Sequence, residues 1–316
     1  MISVRENHVD VTSPVSGRSV EENLVGLSPD EIWKIVSLGD FVDLPRSSRP
    51  MVGPVLDWLR KYLWRLIGIK PKYVMTVMNH LYASSLAFRE GTTDRAIFLN
   101  VVFNNEYRLP PSFAPGDIVI DIGMHIGGFC FAALLRGCTN IHGFEAERQN
   151  FNLAARNLQA FGERVHLYHM AVWRSDRTGD ALYSGEGYLE GNTGGGCILY
   201  DTKGEKLDLI AFDNIIRDIT NNGQKRIRLV KIDCEGSEFP ILLTSRLLHL
   251  IDNIHGEYHD GVYAPVAQVE GVSKLSIAEL TKHLQAAGFA VKSFPTPNSQ
   301  LGMFFATRQE GALERH

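Results

Sequence analysis

The sequence predicts a doubly wound α/β protein. Its Rossmann-like sheet is mostly parallel with an antiparallel last strand, and a partly helical extension precedes it. Three observations predict this fold. Strand-like apolar runs alternate with helical patterns from Asp117 onward. The first run leads into a glycine turn, Gly123-Met124-His125-Ile126-Gly127-Gly128, with an apolar helical stretch behind it. The last two runs, Phe289 to Phe294 and Met303 to Thr307, flank a proline-bearing turn and read as a hairpin. Alternation of this kind builds a parallel sheet with helices on both faces.

The composition supports a packed core: 44% of the 316 residues are apolar and 22% charged. That length suits one large domain with an extension, here divided into residues 1–90 and 91–310. A net charge of −4 argues against nucleic acid as an obligatory partner. Cys130, Cys138, Cys197 and Cys234 form no CxxC pair, and Cys130 and Cys138, inside apolar segments, read as packed thiols, which fits a reducing, cytoplasmic setting. The N-terminus lacks a charged-then-apolar signal, and no apolar run is long enough for a membrane span.

In order along the chain, residues 1–27 are polar and expected to be mobile. Ser28-Pro29 caps a short helix over 31–38. Residues 55–67 carry Val55, Leu59, Leu63 and Ile67 at helical spacing, with Arg60, Lys61 and Arg65 opposite. That stretch suits a helix packed on the main domain or a contact between copies, so a homo-oligomer could form through the N-terminal helices. A basic membrane-surface helix is the alternative. Residues 73–88 hold another helix or a helix-to-strand transition, and 95–103 pack beneath the sheet. Strand one runs up to Asp121, a helix spans 129–135 until Gly137, and strand two covers 141–144, ending on Glu145. A helix over 148–161 stops at Gly162, and strand three covers 165–170, ending in Ala171-Val172-Trp173. A glycine-rich stretch, 184–196, is either ligand-facing or a plain connection. Then come a strand over 206–212, a helix over 213–219, a strand over 228–232, a helix over 240–250 and a strand over 253–258. The segment His259-Asp260-Gly261 is a turn. Ser276 and Glu279 form a capping box for the next helix, which Gly288 ends.

The glycine turn lets backbone approach a ligand, and the helix behind it offers free N–H groups. Glu145 is placed to accept hydrogen bonds from ribose hydroxyls. A dinucleotide fold prefers G-x-G-x-x-G, which this turn does not have. Asp121 at the strand end would repel a pyrophosphate. It suits a ligand with a positive amino group, and S-adenosylmethionine has one. An NAD-dependent oxidoreductase is therefore the weaker alternative.

With these segments in view, the chain resembles the FkbM family of S-adenosylmethionine-dependent methyltransferases over about residues 95–308. The resemblance rests on VIDIGMHIGGF, GFEAERQNFNLAARNL, the AVW segment and LVKIDCEGSEFPIL. It implies a class I methyltransferase sheet and a methyl transfer to a hydroxyl of a sugar, glycan or secondary metabolite. It implies cofactor contacts at Asp121, Gly123, His125, Gly127, Glu145, Ala171 and Val172. Two departures stand out: Met124-His125 where the family commonly has Ala-Asn, and Phe212 in place of leucine before Asp213. The His125 departure leaves open a non-catalytic cofactor-binding module of the same fold.

Methyl transfer to a hydroxyl needs alignment and a proton acceptor. Asp233 ends a central strand, where open α/β sheets place their sites. Glu257 and His259 end the next strand. Asp233, Glu257 and His259 are therefore the catalytic candidates, as an acid/base group. A divalent ion such as Mg²⁺ on these groups is the less favoured reading. Glu238 reads as a helix cap in solvent, and Glu235 as either a cap or part of the site. Residues 1–90 and 184–200 are expected to shape the acceptor side.

Overall fold

The computed structural model describes residues 86–180, 192–194, 206–261, 267–296 and 300–309. It also describes the backbone of four short strands, Ile2–Arg5, His8–Val11, Tyr183–Ser184 and Ile198–Leu199. The helices expected over 31–38 and 55–67, residues 73–85 of the helix or helix-to-strand transition expected over 73–88, and any contact between copies through the N-terminal helices lie outside the described residues.

Seven strands form the main sheet: β1 Val119–Ile122, β2 Ile141–Glu145, β3 Val165–His169, β4 Leu229–Ile232, β5 Asn253–His259, β6 Phe289–Pro295 and β7 Leu301–Arg308. Their order is β6-β7-β5-β4-β1-β2-β3. β3, β2, β1, β4 and β5 pair in parallel, and β7 runs antiparallel between β5 and β6. The expected hairpin is present, and its second strand inserts against β5. All four residues of both β1 and β4 are buried, as central strands covered on two faces should be, including the charged Asp121 and Lys231.

Among the described residues, six helices flank this sheet: α1 Asp94–Phe103, α2 Gly128–Leu135, α3 Arg148–Leu158, α4 Phe212–Ile219, α5 Glu238–Thr244 and α6 Ile277–Ala286. α2 is buried at every residue, because its sequence GFCFAALL has no polar face. It ends as glycine-terminated helices do: Gly137 has φ +83°, and the Cys138 N–H returns to the Ala133 carbonyl. The capping box holds, with Ser276 Oγ accepting the Glu279 N–H at 3.4 Å. One apolar cluster lies under α1, α2 and α3, and a second under α4, α5 and α6.

Three expectations are corrected. Ala171–Trp173 does not continue β3. It pairs in parallel with Leu209–Ala211 as a separate two-stranded ribbon. The helix expected over 240–250 is α5, which already starts at Glu238, followed after a break by a 3-10 turn, Leu248–Leu250. His259 is not in a turn; it is the last residue of β5 and only 4% exposed. Among the described residues, no helix is long and apolar enough to cross a membrane.

Candidate functional site

The strand order reverses between β1 and β4, and open α/β sheets bind ligands at such a reversal. Here the ends of β1, β2, β4 and β5 open on a cavity of about 330 Å³. Gly123, His125, Glu145, Ala171, Val172, Asp233 and Glu257 all line it. Asp121, Gly127 and His259 lie behind the lining.

Gly123 has φ +72°, and a Cβ there would sit 1.8 Å from the Asp233 carbonyl oxygen. Only a glycine lets the turn after β1 pass so close to the end of β4. Gly127 has φ +90° as the residue before α2, and a Cβ there would meet Leu158 at 2.8 Å. Its place is thus in packing the turn against α3.

Beside this turn, Glu145 is 8% exposed. Its Oε2 accepts the His125 N–H at 2.8 Å and its Oε1 the Glu147 N–H at 2.9 Å. Burial pushes the carboxyl up to about 7, against the pull of those two N–H groups. His125 itself has φ +53°. Its Nε2 lies 3.1 Å from Thr193 Oγ1 and 3.4 Å from Asp94 Oδ1. Burial works against the charge of Asp94, but hydrogen bonds from His125, Arg89 and Thr193 hold its carboxyl below the usual range. The larger side chain at 125 therefore ties the glycine turn to α1 and to residues 192–194 of the glycine-rich stretch.

Asp121 is fully buried beneath the turn, so it faces a protein cation rather than the cavity. Lys231 Nζ, from β4, stands 3.1 Å from Asp121 Oδ1 in an ion pair. The same Nζ donates to the Gly123 carbonyl at 2.5 Å and the Ile122 carbonyl at 3.3 Å. Burial opposes the ammonium's charge, yet Asp121 and Asp233 raise it above its ordinary value. Lys231 was missed in the sequence. The available signal was a lysine inside the apolar run Leu229-Val230-Lys231-Ile232, since a charge on a buried strand must be paired.

At the far end, Asp233, Glu257, Glu106 and Glu235 line one wall. The Tyr107 hydroxyl donates to Asp233 Oδ2 at 2.6 Å. Burial, then the charge of Asp233, pushes Glu257 up to about 8. Burial likewise pushes Glu235 up to about 7, although the nearby His259 pulls the other way. Glu238 is not a solvated cap. It is fully buried, accepting the Gly236 N–H and the His259 N–H, each at 2.8 Å. His259 Nδ1 lies 3.1 Å from Glu238 and Nε2 3.3 Å from Glu235. Burial works against its charge, but those carboxylates push it up to about 10. Asp233, Glu235 and His259 each present a ligand atom within 4.8 Å of the others. Each nitrogen of His259 already faces a carboxylate, Nδ1 that of Glu238 and Nε2 that of Glu235.

These shifts have a common sign. Glu145, Glu235, Glu257 and His259 all titrate higher when folded than in an unfolded chain. For the three carboxyls, the stabilisation is complete below the unfolded value of 4.5 and is lost as pH rises through about 7 to 8. For His259 it is complete below 6.5 and lost as pH rises through about 10. Burial also holds His142 and His255 down at about 4, which acts in the opposite sense below 6.5, so the ligand-free protein should melt at lower temperature as pH rises from 6.5 to 9. A calorimetric scan series that shows the reverse trend would remove the protonated-carboxyl account of the wall.

A family model described as the methyltransferase FkbM domain matches residues 121–289. No curated protein matches the sequence. Solved structures similar to this chain include a precorrin-6y C5,15-methyltransferase from Geobacter metallireducens. It is 13% identical, covering 72% of this chain and 95% of that one, with a TM-score of 0.37. A putative RNA methyltransferase from Pyrococcus horikoshii is 12% identical over 65% and 79%, TM-score 0.33. TrmK of M. capricolum, in complex with S-adenosyl-homocysteine, is 9% identical over 65% and 67%, TM-score 0.35.

Proposed function

The chain belongs to the FkbM methyltransferase family and carries the class I methyltransferase sheet, and from this premise we propose that it transfers a methyl group from S-adenosylmethionine to a hydroxyl of a sugar, glycan or secondary metabolite. The observation that carries the proposal is that Glu145 and Asp233 open on one cavity from either side of the Gly123 turn. In this reading residues 91–310 are the methyltransferase domain, and residues 1–90 help shape the acceptor side.

The residues present fit the cofactor. Glu145 keeps a carboxylate at the cavity wall for ribose hydroxyls, and Gly123 leaves backbone open to a ligand. His125, Ala171 and Val172 contribute further wall at that end. Asp121 and Gly127 act from behind, by holding the turn in shape. S-adenosylmethionine supplies a methyl group on a sulfonium, which becomes a neutral thioether once the methyl has passed to oxygen. Asp233 takes the proton of the acceptor hydroxyl. Glu257, pushed up to about 8, is protonated at neutral pH and donates a hydrogen bond to an acceptor oxygen. His259 acts at one remove, by fixing Glu235. The charge of Asp233, with Glu106 and Glu235 on the same wall, disfavours a phosphate-bearing acceptor.

Isothermal titration with S-adenosylhomocysteine tests the reading. Binding heat is expected from the wild type and a much weaker signal from Glu145→Ala. The ribose hydroxyls bind the ionised carboxylate, so affinity should fall as pH drops below about 7. Absence of binding at any pH would sink the proposal.

A further inference from the structure

The turn ahead of β1 enters the cavity from outside the 121–289 match, and it is pinned in three ways. Asn105 closes the turn on itself, its Oδ1 accepting the Leu109 N–H at 2.8 Å and its Nδ2 donating to the Leu109 carbonyl at 3.0 Å. Arg108 stacks its guanidinium on Phe294 and Phe305, 4.3 and 3.9 Å from the ring centroids. His255 Nδ1 lies 2.7 Å from the Tyr107 carbonyl oxygen, so that nitrogen carries the proton. Asn105 and Arg108 both adopt φ +50°, a left-handed conformation that costs energy in side-chain-bearing residues.

The result is a buried Tyr107, 4% exposed, with its ring edge-on to Phe129 and 5.2 Å from Lys231 Nζ. Its hydroxyl points at one oxygen of Asp233, at 2.6 Å. We infer that Tyr107 is a positioning residue that occupies Asp233 Oδ2 and leaves Oδ1 as the atom that meets the acceptor hydroxyl. The inference rests on the reading of Asp233 as proton acceptor. A carboxylate free to rotate would present either oxygen. One held by a fixed donor presents a single lone-pair direction, and alignment of that kind is a large part of catalysis in displacement reactions. The phenol remains a donor throughout: burial, then the charge of Asp233, pushes its ionisation well above the ordinary range. Nothing in the local sequence marks this role, since Tyr107 and Asp233 are 126 positions apart.

The test is a ¹³C NMR titration of full-length protein labelled at aspartate carboxyl carbons, with the Asp233 signal assigned by its loss in Asp233→Asn. A fixed donor favours the ionised form of the carboxylate it meets, so in Tyr107→Phe the Asp233 midpoint should move up relative to wild type. An unmoved midpoint overturns the inference. Should Tyr107→Phe fail to fold, the same coupling is read from the other side, because linkage is reciprocal. With tyrosine ring-carbon labels, the Tyr107 signal should titrate at lower pH in Asp233→Asn than in wild type, and an unchanged Tyr107 titration is again fatal. A packing role alone would move neither midpoint. S-adenosylhomocysteine titration of the wild type separates the two ideas. Missing binding refutes the methyltransferase reading, whereas normal binding with unmoved midpoints refutes only the role of Tyr107.

Discussion

Asp233→Asn should lower methyl transfer by ~10²–10⁴-fold, the range that loss of a positioned general base costs, while S-adenosylhomocysteine still binds. The asparagine keeps the size of the side chain and can accept the Tyr107 hydroxyl, but it cannot take a proton from the acceptor. Single-turnover transfer of radiolabelled methyl from S-adenosylmethionine to a panel of free sugars and glycosylated metabolites provides the readout. Retention of full activity would remove Asp233 from the chemistry. The same assay has a second expected feature. Glu257 loses its proton near pH 8 and then places a second negative charge beside Asp233, so activity should fall above that pH in the wild type. Glu257→Gln keeps a donor that does not ionise, and its alkaline limb should disappear. If the limb persists in that variant, it belongs to another group.

Lys231→Met should be the most damaging single change to stability. It leaves Asp121 fully buried without its cation and strips donors from the Ile122 and Gly123 carbonyls. Breaking a buried pair by removing one partner costs ~3–5 kcal/mol, because an uncompensated charge remains. Chemical denaturation should show that loss, with cofactor affinity falling as the glycine turn loosens. The double variant Asp121→Asn with Lys231→Met should recover much of the stability, since the charge is then removed with its partner. If the double variant is no more stable than the single, the cost lies in the lost carbonyl contacts instead. A Lys231→Met protein as stable as wild type would show that the ion pair contributes little.

What could be read ahead of the structure depended on how local its cause is. The glycine turn, the acid closing β2, the Ser276–Glu279 cap and the final hairpin are set by residues within a few positions of one another, and all four appear. The partner of Asp121 is 110 residues away, on a strand whose neighbour in the sheet no periodicity specifies. Glu238 and His259 were misplaced for a similar reason. Each is a polar residue at an element end, where exposure is the ordinary expectation, and each is buried because the other is there. The small ribbon holding Ala171–Trp173 is also a long-range outcome, since its partner strand lies beyond the glycine-rich stretch. Tyr107 carries no local mark at all, because its distinguishing feature is the distant carboxylate it meets.

The absence of space between Gly123 and the Asp233 carbonyl has a consequence for engineering. Segment grafting assumes that a ligand-binding loop can be exchanged between relatives while the reactive end of the protein stays put. Here the two are a single mechanical unit: the turn rests on the backbone that carries Asp233, and Lys231 clasps it from the same strand. A chimera that imports residues 121–128 without 229–238 would inherit a mismatched seam, and donor and acceptor specificity in this chain would have to be transplanted together.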